Sequence, residues 1–222
     1  MSPLTKDNLP SFWRRLHSLT GVLPIGAFLL VHLWTNSRAL AGAQAYGDRL
    51  SVAATTPLFV LLEVVMLHVP LAYHAIYGVA LVVKGTPRSG APDSKSSARL
   101  VDRASSVCAF VFIVYHVWQF RISVARGTMR RSDFFPVLCD TLSSTTHLGV
   151  PVAASLYLVG LAATSYHFAY GLAGMPSTWG IRVPERLGRW TLGASVAVGV
   201  IAFLVGASTV LYFATGSKMP GI

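Results

Sequence analysis

Val69-Pro70-Leu71-Ala72-Tyr73-His74-Ala75-Ile76-Tyr77-Gly78 lies inside a predominantly apolar run that extends from Pro57 to Val83. At 1.5 Å of rise per residue, a helix of that length crosses a hydrocarbon core of roughly 30 Å. An imidazole in the middle of such a run is costly in lipid, so His74 is read as facing protein and serving a site. Pro70 cannot donate to the carbonyl of Met66, which predicts a kink one turn before His74.

Outward from this stretch, further apolar runs predict helices at about 20–39, 56–83, 104–125, 148–174 and 190–215. The fold class is an all-α integral membrane bundle of five transmembrane helices in one domain, 1–222. Residues 84–103 and 126–147 read as connecting loops, with a short amphipathic helix over Phe134 to Leu142. A composition of 53% hydrophobic against 12% charged residues, with mean hydropathy +0.57, excludes an ordinary soluble domain. The net charge of +10 does not indicate nucleic-acid binding, because the basic residues fall in short segments between apolar runs, where they set topology. Two cysteines, Cys108 and Cys139, exclude a disulfide framework and a four-thiolate cluster. Without a C-x-x-C-H motif, any haem is held without thioether links.

Met1 to Thr20, with Lys6, Arg14, Arg15 and His17 ahead of an apolar run, has the layout of a signal peptide, with Ala39-Leu40-Ala41 as a cleavage site. The run is at the long end of the usual h-region of about 7–15 residues and contains His32, which favours a first membrane helix. With the N-terminus cytoplasmic and the C-terminus outside, the inner segments hold Lys6, Arg14, Arg15, Lys84, Arg88, Lys95, Arg99, Arg103, Arg182, Arg186 and Arg189. The outer ones hold Arg38, Arg49, Arg121, Arg126, Arg130, Arg131 and Lys218, and this bias of eleven to seven favours that orientation.

Helix geometry then turns position into depth below the inner surface. His32 and His116 both fall at roughly 18 Å, His74 at roughly 14 Å and His167 at roughly 10 Å, two levels with two histidines each. Two pairs of neutral imidazoles from different helices are what two bis-histidine haems require. Gly78 and Gly171 each follow a histidine by one turn and leave room for a ring edge, or serve helix packing. His68 points to a different face from His74 and either replaces a member of the deeper pair or lines a quinone cavity. His17 and His147 sit at helix ends and read as interfacial; His17, with Arg14, Arg15 and Ser18, also suits the propionates of a haem. Glu63, the carboxylate within an apolar run, reads equally as a proton-exchanging acid for a quinone or as the structural partner of Arg121 or Arg38.

Taken in order, Arg14-Arg15-Leu16-His17-Ser18, His32-Leu33, Tyr73-His74-Ala75-Ile76-Tyr77-Gly78, His116-Val117-Trp118, His167-Phe168 and Thr178-Trp179-Gly180-Ile181 resemble the five-helix cytochrome b subunit of succinate dehydrogenases and fumarate reductases, the di-haem b558 type. The resemblance covers nearly the whole chain. It implies two haem b groups, the proximal one on His74 and His167 and the distal one on His32 and His116. It implies a flavoprotein (FAD) subunit and an iron–sulfur subunit as partners on the cytoplasmic face, and a quinone, commonly menaquinone, near the distal haem. The bacterial cytoplasmic membrane would be its location. A cytochrome b of another dehydrogenase, such as a formate dehydrogenase or hydrogenase, and a haem-free anchor whose histidines only stitch helices together, are the alternatives.

Overall fold

The structure, a computed structural model, describes residues 9–51, 57–84, 96–145 and 149–216. Residues 85–95 of the first long loop, and His147, lie outside them. Every described regular element is helical, as expected where lipid offers backbone groups no partner outside their own segment. Five helices are long and apolar enough to cross a membrane: Ser11–Ala41, Val60–Val83, Leu100–Ala125, Val152–Thr178 and Glu185–Thr215, here spans one to five. The starts of spans one, three and five and the ends of two and four define a near end of the bundle; the opposite termini define a far end.

Two helices begin before the positions that hydropathy marks. The first is already helical at Leu9 rather than from near residue 20. The third starts at Ser96 rather than 104. Its polar opening carries Asp102, whose carbonyl accepts from the hydroxyls of Ser105 (2.9 Å) and Ser106 (3.0 Å). Polar residues in a helix opening lower its hydropathy without ending the helix.

Spans one, two and three each contain a π-helical segment, at Gly21–Gly26, Val64–His68 and Trp118–Ile122. The first contains Pro24 and the second ends just before Pro70, so the turn beside each proline widens rather than breaking. The third has no proline. It carries Gln119, whose Oε1 accepts the Tyr157 hydroxyl at 2.5 Å, and Arg121.

Span four packs on spans three and five, and span five also packs on span one. Leu33, Leu161, Ala202 and Ala207 form a mid-bundle cluster. A second cluster at the far end, with Tyr46, Leu138, Leu142, Tyr157 and Phe213, is closed by two short helices, Ala43–Ser51 and Phe134–Ser143. The latter is the amphipathic helix that the sequence indicates, and it buries Leu138 and Leu142. Span two is different: neither Val64–His68 nor Val69–Val83 contains a buried residue. At the near end span four stops at Trp179-Gly180, where Gly180 takes φ +74 and the N–H of Ile181 reaches back to the Pro176 carbonyl at 2.9 Å. That left-handed turn accounts for the glycine of Thr178-Trp179-Gly180-Ile181.

Candidate functional site: paired histidines between the spans

Four of the histidines on spans one to four meet in two pairs. At the near end the rings of His74 and His167 lie 6.1 Å apart, centroid to centroid, at 77°. Toward the far end those of His32 and His116 lie 5.6 Å apart at 82°. His32 follows Gly21, which abuts His74, by eleven residues, placing the two pairs roughly 16 Å apart along the bundle.

His74 is fixed by the main chain of the first helix. Its Nδ1 lies 3.0 Å from the carbonyl of His17. A carbonyl only accepts, so Nδ1 donates and Nε2 keeps its lone pair. Thr20 donates its hydroxyl to the same carbonyl at 3.0 Å, and the neighbouring Tyr73 donates to the Trp13 carbonyl at 2.8 Å. Trp13 and His17 are one turn apart, so consecutive residues of span two engage consecutive turns of span one. Gly21 completes the seat: a Cβ there would come within 2.5 Å of His74 Cε1.

His17 lies within the first helix, and its ring stacks on that of His74 at 3.9 Å and 13°. The space beside Gly78 is filled by this ring, since a Cβ at Gly78 would lie 3.2 Å from His17 Cε1. Arg15 is exposed at the same end, its guanidinium 3.8 Å from where a Cβ on Gly180 would be, while Ser18 and Gly171 are half-buried.

The far pair sits in an aromatic cage. Phe28 stacks on His32 at 5.2 Å; Phe112, Phe120 and Tyr157 surround His116 at 5.8, 5.1 and 6.0 Å. Gly160 admits Phe112, against which a Cβ would clash at 2.2 Å. His116 Nδ1 is buried without a hydrogen-bond partner among the described residues. His32 is approached by Asn36, which Tyr46 holds in turn. Neither residue stands out in the sequence, although the four-residue spacing of Asn36 from His32 and of Tyr46 from Leu50 is a helical signal.

Glu63 accepts from Arg121 Nε at 2.9 Å, so Arg121 is its partner in the membrane. Its second oxygen is buried with no hydrogen-bond partner among the described residues. His68 joins them, with Nδ1 3.1 Å from the Glu63 carbonyl and Nε2 3.9 Å from Glu63 Oε1. Glu63 precedes His74 by eleven residues, which puts it at about the level of His32 and His116, roughly 16 Å from His74. Outside the spans, burial pushes the Tyr46 phenol above its ordinary value, and the backbone N–H of Arg130, 2.8 Å away, holds the Asp133 carboxyl below its own.

Fold and site together define a multi-pass membrane bundle in which four spans each give one histidine to one of two pairs. A curated relative, the succinate dehydrogenase cytochrome b558 subunit of Bacillus subtilis (strain 168), is 31% identical over 207 residues, covering 93% of this chain and 98% of the relative. The chain belongs to the succinate dehydrogenase cytochrome b558 subunit family. No family model and no solved structure matches it.

Proposed function

We propose that the chain is the di-haem membrane anchor of a succinate:quinone oxidoreductase, carrying electrons between a cytoplasmic iron–sulfur subunit, paired with an FAD flavoprotein, and a quinone of the menaquinone type. The observation that carries this is the meeting of four histidines from four spans in two pairs, at 6.1 and 5.6 Å. Two imidazoles brought together from different spans are a donor set that could hold one haem iron. Further support comes from the cradles: Gly21 and Gly160 are places where a Cβ would displace a ring at the site, and His116 Nδ1 is buried without a described hydrogen bond.

His74 and His167 would hold the proximal haem, and His32 and His116 the distal one. Haem, when bound, supplies one-electron carriage through the membrane. The chain's residues do the rest. The His17 carbonyl keeps the proton of His74 on Nδ1, so that Nε2 is offered as a ligand. Arg15 and Ser18, at the same end as His74, would offer positive charge and a donor to the propionates of a haem held there, with His17 beside them. Glu63, at the distal level, exchanges the quinone's protons, with Arg121 fixing its carboxylate. With the N-terminus inside, each electron passing outward crosses a field worth about 2.3 kcal/mol per 100 mV. That field assists reduction of a low-potential quinone; the reverse wiring makes a fumarate reductase.

The test is purification of the complex from its native bacterial membrane with haem, flavin and subunit analysis. The expected result is two haem b per FAD together with an iron–sulfur subunit. Absence of b-type absorption, or co-purification with a flavin-free dehydrogenase, would contradict it.

A further inference from the structure

Three ionisable side chains meet within the spans toward the far end, and two irregular turns bring them together. Residues five apart on an α-helix point about 140° away from each other. Val64–His68 is π-helical, and its i→i+5 closure brings His68 round to the face of Glu63. Arg121 reaches them from the π-helical turn Trp118–Ile122 of span three. The Glu63 carbonyl only accepts, so His68 Nδ1 donates to it across 3.1 Å and Nε2 carries the lone pair. That nitrogen lies 3.9 Å from Glu63 Oε1. Two acceptors facing each other across a gap too long for a hydrogen bond need a proton donor between or beside them. Glu63 Oε1 is engaged by Arg121 at 2.9 Å, whereas Oε2 is buried without a hydrogen-bond partner among the described residues. The segment of span one packed against Val64–His68, Gly21–Gly26, brings no ionisable side chain. Proton exchange is therefore left to His68 Nε2 and Glu63 Oε2, since a guanidinium keeps its protons. The two side chains retain 29% and 19% exposure, so a lipid-soluble ring reaches them from the bilayer.

We propose that His68 is the second acid–base group of the quinone site, working with Glu63 on the two protons by which a quinol differs from its quinone. This rests on Glu63 being the quinone's acid. In the reducing direction two electrons arrive through the anchor. Two O–H bonds form on the quinone as an N–H bond breaks at His68 Nε2 and an O–H bond breaks at the Glu63 carboxyl. Neutral imidazole and carboxylate remain, and water at the far end reprotonates both. Quinol oxidation returns the same two protons to the same two groups. Arg121 holds the carboxylate once it forms, and the Glu63 carbonyl keeps Nδ1 of His68 protonated, so exchange stays on Nε2.

The experiment is fumarate reduction by menadiol in the purified complex, with each rate referred to succinate oxidation by methylene blue in the same preparation, a reaction that bypasses the quinone site. His68→Asn keeps an amide donor for the Glu63 carbonyl and has no titrating nitrogen. It is expected to lose roughly 100-fold or more in kcat for menadiol, with a smaller change in KM and both haem spectra retained. Imidazole added to His68→Ala is expected to restore part of the rate. A wild-type menadiol kcat in His68→Asn, no recovery with imidazole, or loss of rate together with a haem would overturn the proposal. If His68→Asn fails to assemble, His68→Ala with and without imidazole decides. Glu63→Gln separates this from the underlying assignment: full turnover there removes the carboxyl as the quinone's acid, whereas full turnover confined to His68→Asn removes His68 alone.

Discussion

The two histidine pairs differ in what holds them. At the near end, His74 is gripped by backbone: it donates to the His17 carbonyl at 3.0 Å and rests against Gly21. At the far end, His32 is steadied by side chains, Asn36 and behind it Tyr46, and its partner His116 is enclosed by rings. A carbonyl cannot be removed by substitution, so the near site is damaged by filling its space. The far site is damaged by deleting groups. The near site also depends on span two, which lacks buried residues over Val64–Val83, whereas span five buries nine, among them Gly199, Gly206 and Phe213.

The largest effect expected from this difference is on span two. Removing the near-end haem, by His74→Ala or by extraction, should make residues 57–84 the first part of the chain cut in limited proteolysis, while spans four and five persist. Simultaneous cleavage of all spans would show that span two is no weaker than the others. Next comes Gly21→Val, which drives a methyl group toward His74 and costs about 1–3 kcal/mol as overpacking. It should abolish or perturb one haem's spectrum and spare the other. Gly47→Ala is the control, since nothing lies within 4 Å of its new Cβ, and it should be neutral or gain up to about 1 kcal/mol in helix propensity.

Arg121→Gln acts at the far level and leaves the Glu63 carboxylate without its guanidinium. Both side chains keep partial exposure, 31% and 19%, so the loss should fall below the roughly 3–5 kcal/mol of a fully buried broken pair. Thermal unfolding should show the cost partly recovered in Arg121→Gln/Glu63→Gln, a coupling that independent residues would not give. The Glu63→Gln variant alone should keep both haems and lose quinone reduction; full quinone turnover would reduce the pair to a structural role. The smallest effect is at Asp133, whose carboxylate accepts from the Arg130 N–H and closes the short turn Arg131–Asp133 ahead of helix Phe134–Ser143. Its folded carboxyl lies below the ordinary 3.8, so the stability it adds is present above that value and is lost as pH falls through the lower, folded one. Wild type and Asp133→Asn should therefore differ at neutral pH and converge in acid.

Hydropathy was enough to locate five spans, because lipid enforces helices and leaves long apolar runs. It missed the more polar openings at Leu9–Thr20 and Ser96–Arg103, whose charged and hydroxyl residues lower the hydropathy without ending the helix. Depth arithmetic grouped His32 with His116 and His74 with His167, since rise per residue is nearly constant. It said nothing of rotation about each helix. That is why the stack of His17 on His74, the choice of Arg121 for Glu63, and the reach of Tyr46 to Asn36 emerge only in three dimensions. Pro70 signalled a local disturbance, and Pro24 carried the same signal; the bulge at Trp118–Ile122 has no proline to announce it.

The most direct measurement is the reduced-minus-oxidised spectrum and haem-to-FAD ratio of four purified complexes, each with one alanine in place of His32, His74, His116 or His167. The paired arrangement predicts two phenotypes, each shared by two variants: His74→Ala and His167→Ala lose one haem, and His32→Ala and His116→Ala lose the spectrally distinct other. Four variants that keep both haems, or variants that sort across the two pairs, would contradict it.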